Sequence, residues 1–248
     1  MYTCFLTVRV GSKRLKNKPL KKIGQLSFIE HTILRCKKNN LTPVICTSWN
    51  KKDKIFNQFA KKYKIRIFFG SEKNKIKRWL DCAKKFNIKK FHTLDVDDPY
   101  FDSTNIKKSL NMLSLKHESR QLICPSRKSR KGGASEGYSF VTNYLEKIIF
   151  KKKLYIDNMN IEMIDDILKR LKKTILPNSS YETKLNFRMT LDYIEDYYFF
   201  KKIYQNLGHF AHRRLINNFL TENSYLRNIN YFRNKSWKNN QNKIMKGQ

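Results

Sequence analysis

Through the first half of the chain, short runs of apolar and β-branched residues alternate with longer stretches whose apolar positions recur every three or four residues. The short runs read as strands and the longer ones as helices, the signature of an α/β fold with a mixed, mostly parallel sheet flanked by helices. Strands are expected at 4–8, 44–47, 65–69 and 91–94. Between them Leu26, Ile29, Ile33 and Cys36 mark one helix, and further helices are expected at 52–63, 74–86 and 104–115. Later, 155–172 reads as a helical insertion, 185–190 as a late strand and 193–207 as a helix returning to the sheet. From Asn228 the chain turns polar and basic, the pattern of a frayed end. The expected division is one domain over 1–210, interrupted by the insertion at about 150–180, then a basic C-terminal helix and tail over 211–248.

The 40% hydrophobic and 13% aromatic content over 248 residues is enough for such a core. The net charge of +33 changes the picture more, because it attracts polyanions. Its lysine pairs, such as Lys37-Lys38, Lys61-Lys62 and Lys84-Lys85, are scattered along expected helices as on a solvated face. No nucleic-acid-recognition motif accompanies them, so nucleic acid is not the expected partner. The five cysteines form no CxxC pair and are odd in number, which indicates neither a disulfide framework nor a zinc ribbon and fits a reducing cytoplasm. No run of about 18 apolar residues is present to span a membrane.

Three stretches carry candidate chemistry, each at the carboxyl end of an expected strand, where open α/β sheets bind ligands. The first runs from Arg9 to Lys18. Gly11 and Ser12 offer backbone N–H groups there, and Arg9, Arg14 and Lys18 can neutralise a triphosphate. It is not a Walker loop, since Asn17 stands where the second glycine is needed. The second clusters Asp95, Asp97, Asp98 and Asp102, acids able to hold Mg²⁺ or to cap a helix. The third runs from Arg188 through Asp192 to Glu195 and Asp196, and would bring a second carboxylate to the same metal. A basic, glycine-containing loop at 126–133 is a further feature. Among the histidines, His31 reads as a surface residue, His92 as structural, and His209 and His212 as a helical pair lacking a third metal ligand.

In this order the stretches resemble the cytidylyltransferases that make CMP-activated sugar acids, the spore-coat polysaccharide and acylneuraminate branch of the nucleotide-diphospho-sugar transferase superfamily. Their opening ARxGSxRLPGK is similar to VRVGSKRLKNK here, with Val8 for alanine, Lys16 for proline and Asn17 for glycine. Cys46-Thr47-Ser48 resembles their Ala-Thr-Ser strand end, and Gly70-Ser71-Glu72 with Arg78-Trp79 their Gly-Ser-Glu and Leu-x-Arg-Tyr segments. Asp95 to Asp102 and Arg188 to Asp196 match their two acidic elements. Gly132 to Tyr138 departs from their Pro-x-Gly-x-x-Val-Glu stretch near the sugar.

The resemblance implies a Rossmann-like fold and a CTP-dependent nucleotidyltransferase acting on a sugar acid with Mg²⁺ in polysaccharide biosynthesis, as a homodimer; the alternatives are another sugar nucleotidyltransferase or a glycosyltransferase of the same fold, or a basic nucleic-acid-binding protein. It implies catalytic roles for Arg9, Lys18, Asp97 and Asp192. Asp97 and Asp192 would hold the metal, and Gly11, Ser12, Arg14, Thr47 and Arg78 the nucleotide.

Overall fold

The computed structural model describes residues 1–12, 14–126, 136–157, 159–161, 164–168, 171–180 and 186–246. Its centre is a parallel group of four strands: β1 (Thr3–Thr7), β4 (Thr42–Ser48), β5 (Arg66–Gly70) and β6 (Lys90–Asp95). β1 lies between β4 and β6, and β5 is the outer neighbour of β4. Cys4-Phe5-Leu6 and Ile45-Cys46 are fully buried, as expected of strands covered on both faces. A small antiparallel pair, β2 (Lys22–Ile23) with β3 (Leu26–Ser27), precedes the first long helix.

The crossovers are α1 (Phe28–Lys38), α2 (Phe56–Tyr63) and α3 (Lys75–Lys85). α1 begins with a capping box in which Glu30 accepts from the Ser27 backbone N–H at 2.9 Å. Beyond β6 comes α4 (Ser103–Met112), capped by Asp102, whose carboxylate accepts from the Thr104 and Asn105 amides. The sheet then continues with three short strands, β7 (Leu122–Cys124), β8 (Ser139–Val141) and β9 (Thr174–Ile175), in the order β6-β8-β7-β9. β8 is antiparallel to both neighbours, which makes the sheet mixed. Phe5, Phe91 and Phe140 stack across it, with centroids 4.3 Å and then 5.7 Å apart.

Several expectations change. Segment 186–190 is not a strand, and 185 lies outside the described residues. Side chains take its carbonyls, with Arg227 donating to Asn186 O and Asn230 to Arg188 O, so it needs no ladder partner. The insertion is mostly irregular where described, with α5 (Thr142–Lys151) before it and one short helix within it, α6 (Asp165–Leu168). Its backbone is tied down instead by Asn74, which donates to Leu154 O and Ile156 O. The end of the chain is not frayed at Asn228. After α7 (Ile194–Leu207) and α8 (Arg213–Glu222), Asn230 is fully buried and leads into α9 (Arg233–Lys246). Of the basic loop at 126–133, residues 127–133 lie outside the described residues, as do 132–135 of the stretch at 132–138.

Candidate active site

The loop after β1 crosses the carboxyl ends of the parallel strands. It is tied at its start by Asp53, which accepts from Val10 N at 2.8 Å and from the Ser48 hydroxyl at 2.5 Å. Ser12 N–H donates to Val10 O at 2.8 Å within the turn, and Lys13 lies outside the described residues. A Cβ built on Gly11 meets open space. Asn17 has φ 54° and ψ 28°, the left-handed region. Asparagine tolerates that region better than most residues, so it can replace the resembling family's glycine without changing the turn. Pro19 follows in a short 3₁₀ turn, Lys18–Leu20, which sends the Lys18 side chain inward.

Two acidic turns meet that side chain. The turn after β6 is held by Val96 N–H donating to Thr7 O and Asp98 N–H to Asp95 O. The approach to α7 joins it directly, since Leu191 N–H donates to Asp97 O at 2.8 Å. Lys18 Nζ then donates to Asp97 Oδ2 at 2.5 Å, Asp192 Oδ1 at 3.1 Å and Leu191 O at 3.2 Å. Arg14 reaches Asp192 Oδ1 at 2.6 Å, while Arg188 approaches Asp192 Oδ2 at 3.3 Å.

These charges set the protonation states. Burial alone would raise the Asp192 carboxyl, but Lys18, Arg14 and Arg188 outweigh it and hold Asp192 at about 2. Asp97 is pushed up from the ordinary aspartate value by burial and by the neighbouring Asp192 and Asp95 charges, against the pull of Lys18. Burial would lower Lys18, yet the two carboxylates keep it raised and protonated. Asp97 remains 32% exposed at its side chain against 4% for Asp192, so it is the more accessible of the two.

The donor set fits a hard divalent cation. Two carboxylates from distant parts of the chain already converge on one positive charge. Mg²⁺ takes one or two carboxylates and completes its shell with phosphate oxygens and water, the number of carboxylates that Asp97 and Asp192 supply.

Asp196 serves the frame. It is fully buried and accepts from Asp192 N, Tyr193 N, Arg188 and Asn230, fixing the start of α7. Glu195 pairs with Arg233 at 2.6 Å. Sequence reasoning missed this clamp because Asn230 and Arg233 lie in a segment whose composition resembles a solvated tail.

The remaining candidates are spread along the same edge. Arg9 donates to Glu72 O at 2.9 Å. Thr47 is fully buried and its hydroxyl donates to Val8 O at 2.8 Å. Arg78 is also buried and donates to Ser71 O at 2.6 Å, its stem packed so closely that a Cβ on Gly70 would lie 2.9 Å from Arg78 Cγ. The polar groups of Thr47 and Arg78 thus hold backbone carbonyls at the strand ends.

His31 corrects the sequence reading. It is fully buried, 2.9 Å from Pro99 O and 3.1 Å from His209 Nδ1. His209 and His212 lie in the link between α7 and α8, and His212 caps α8 by accepting from Arg214 N. His92 is structural in its contacts, 2.8 Å from the Ser139 hydroxyl and 3.1 Å from Glu136 O.

Comparison with known proteins places the chain in a family and shows that its fold is shared. Residues 3–216 match the family model described as cytidylyltransferase. An uncharacterized protein of Methanocaldococcus jannaschii is 27% identical over 235 residues, covering 91% of this chain and 92% of that protein. A cytidylyltransferase structure from Leptospira borgpetersenii superposes with a TM-score of 0.75 at 22% identity, covering 91% of this chain and 95% of that one. A CMP:2-keto-3-deoxy-manno-octonic acid synthetase solved with CTP superposes with a TM-score of 0.57 at 10% identity, covering 83% and 99%. At these identities the two structures establish the shared fold.

Proposed function

The chain belongs to the cytidylyltransferase family of CTP-dependent nucleotidyltransferases, and from that premise we propose that it couples a sugar acid to CMP, releasing pyrophosphate. The observation that carries this reading is the Lys18 ammonium held between Asp97 and Asp192. A site built to keep one cation between two carboxylates, beside a loop bearing Arg9 and Arg14, suits a nucleoside triphosphate and its counter-ion.

In the proposed reaction a sugar hydroxyl forms a new bond to the α-phosphorus of CTP. The bond to the bridging oxygen of the β-phosphate breaks, pyrophosphate leaves, and the hydroxyl proton is released. Catalysis is then largely positioning and charge stabilisation. Asp97 and Asp192 would hold Mg²⁺, which when bound supplies neutralisation of charge on the reacting phosphate. Lys18, Arg14 and Arg9 would neutralise the β- and γ-phosphates, with the Gly11–Ser12 backbone beside them. Thr47 and Arg78 support the nucleotide through the strand ends they fix.

The enzyme is read as a cytoplasmic homodimer, with the insertion at 155–172 as the contact. The described cysteines, all free and buried, support a reducing compartment, and a monomer by light scattering would remove the contact assignment. The reaction is tested by pyrophosphate release from CTP and Mg²⁺ with a panel of sugar acids and their neutral counterparts. Release confined to sugar acids is the expected result. Release only with neutral sugars, or only from another nucleotide, would replace the substrate assignment.

A further inference from the structure

Trp49 immediately follows β4, at the carboxyl edge that carries the acidic turns, and is 69% exposed. Large aromatic side chains are usually more buried than this. Its position is nonetheless fixed: Trp49 N–H donates to Gly70 O at 3.0 Å, and one ring face stacks on Phe69, with centroids 5.6 Å apart and planes at 27°. The neighbouring Asn50 donates to Glu72 Oε1 at 3.0 Å, and Glu72 O accepts from Arg9. Asn50 and Glu72 thereby link the aromatic pair to the loop that bears Arg9.

Across the sheet, β4 is separated from β6 by β1 alone. Two strand spacings amount to about 10 Å, the span of one ribose and one base. A nucleotide whose α-phosphate lies at Asp97 and Asp192, extended along this edge, brings its base to the end of β4.

We infer that Trp49, backed by Phe69, is the stacking platform for the pyrimidine base of the nucleotide. The inference rests on the reading of the Asp97–Asp192 site as the phosphate end. One face of the indole is occupied by Phe69 and the other is left for a ring to cover. A base on a preorganised aromatic gains about 1–3 kcal/mol from stacking, which corresponds to about 5- to 150-fold in affinity. Stacking tolerates any base, so Trp49 governs the strength of nucleotide binding more than the choice among nucleotides.

The test is titration of the whole protein with CTP and Mg²⁺, following tryptophan fluorescence, in wild type, Trp49→Phe and Trp49→Ala. Of the other two tryptophans, Trp79 is buried and reports little of a surface event, whereas Trp237 is half-buried with the Arg188 guanidinium 5.9 Å from its ring centroid, so the fluorescence titrations use a Trp237→Phe background. CTP should quench the Trp49 emission in that background, and the signal should largely vanish when either Trp49 substitution is added. Calorimetric affinity should fall about tenfold or more in Trp49→Ala and stay within about threefold in Trp49→Phe. KM for CTP should rise in Trp49→Ala with kcat little changed, because the contact is made equally in ground and transition states. Wild-type affinity in Trp49→Ala would overturn the platform while leaving the enzyme assignment intact. Absence of CTP binding by the wild-type protein would overturn both.

Discussion

Lys18 Nζ lies 2.5 Å from Asp97 Oδ2, and the same ammonium reaches Asp192 Oδ1, so one cation joins residues separated by most of the chain. Replacing Lys18 with methionine leaves two neighbouring carboxylates without it. Breaking a buried ion pair costs about 3–5 kcal/mol, although Arg14 and Arg188 still partner Asp192 and soften the loss. Lys18→Met should therefore unfold at lower urea, and millimolar Mg²⁺ should restore much of the difference while leaving wild type nearly unchanged. Equal effects of Mg²⁺ on both proteins would separate the carboxylate pair from metal binding.

Asn17 occupies the left-handed region at φ 54°. Asn17→Gly should fold and turn over like wild type, since glycine adopts that conformation freely. Asn17→Val should lose about 1–2 kcal/mol and raise KM for CTP, because the strain falls one residue before Lys18. Denaturant melts and steady-state kinetics on the two variants check this directly.

The Asp196 clamp is expected to govern stability first and activity through it. Asp196→Ala leaves the buried Arg188 guanidinium without its carboxylate and the first turn of α7 without its cap, a loss of about 3–5 kcal/mol. Arg188 would then lean on Asp192, and the variant should bind CTP more weakly even below its melting transition. Undiminished stability in Asp196→Ala would contradict the structural role.

Buried histidines shape the response to acid. Burial depresses His92 to about 4, and burial with the Arg35 and His209 charges depresses His31 to about 3. Below the unfolded value of about 6.5 the unfolded chain binds protons these native histidines refuse, so stability is full above that pH and falls as the pH drops toward 4 and 3. Asp98 acts oppositely: buried with both oxygens lacking a hydrogen-bond partner among the described residues, it is raised to about 7 and stays protonated in the native state below that pH. The carboxyls raised by burial, Asp97 and Asp196 as well as Asp98, oppose the histidines over this range. The readout is therefore the difference between two proteins: the urea stability of His92→Gln relative to wild type should rise as the pH falls from 6.5 to 5, whatever its stability at pH 7.5.

The parallel half of the fold was legible because buried strands and amphipathic helices leave strong periodic signals. The loop from Arg9 to Lys18 and the two acidic turns were legible because their residue types are unusual at strand ends. The antiparallel limb was not, since β7, β8 and β9 are two or three residues long and carry no period. The 186–190 segment looked like a strand by its alternation, yet Arg227 and Asn230 supply its hydrogen bonds from a stretch that reads as solvated tail. His31 looked exposed beside Glu30, but α1 turns it toward Pro99 and His209. Trp49 gave one unread signal, a large aromatic placed directly after Cys46-Thr47-Ser48.

The most direct test of the central claim is a thermal-shift comparison of wild type and Asp97→Asn with CTP, UTP, GTP, ATP and TTP, each with and without Mg²⁺. At about 100 times Kd a ligand adds about 2.7 kcal/mol of native-state stability, or about 5–10 °C for a chain of this size. The account predicts a rise of that order for wild type with CTP and Mg²⁺, a much smaller one without the metal or with the other nucleotides, and loss of the Mg²⁺ dependence in Asp97→Asn. A rise that is the same with every nucleotide and indifferent to Mg²⁺ and to Asp97, or no rise at all, would contradict it.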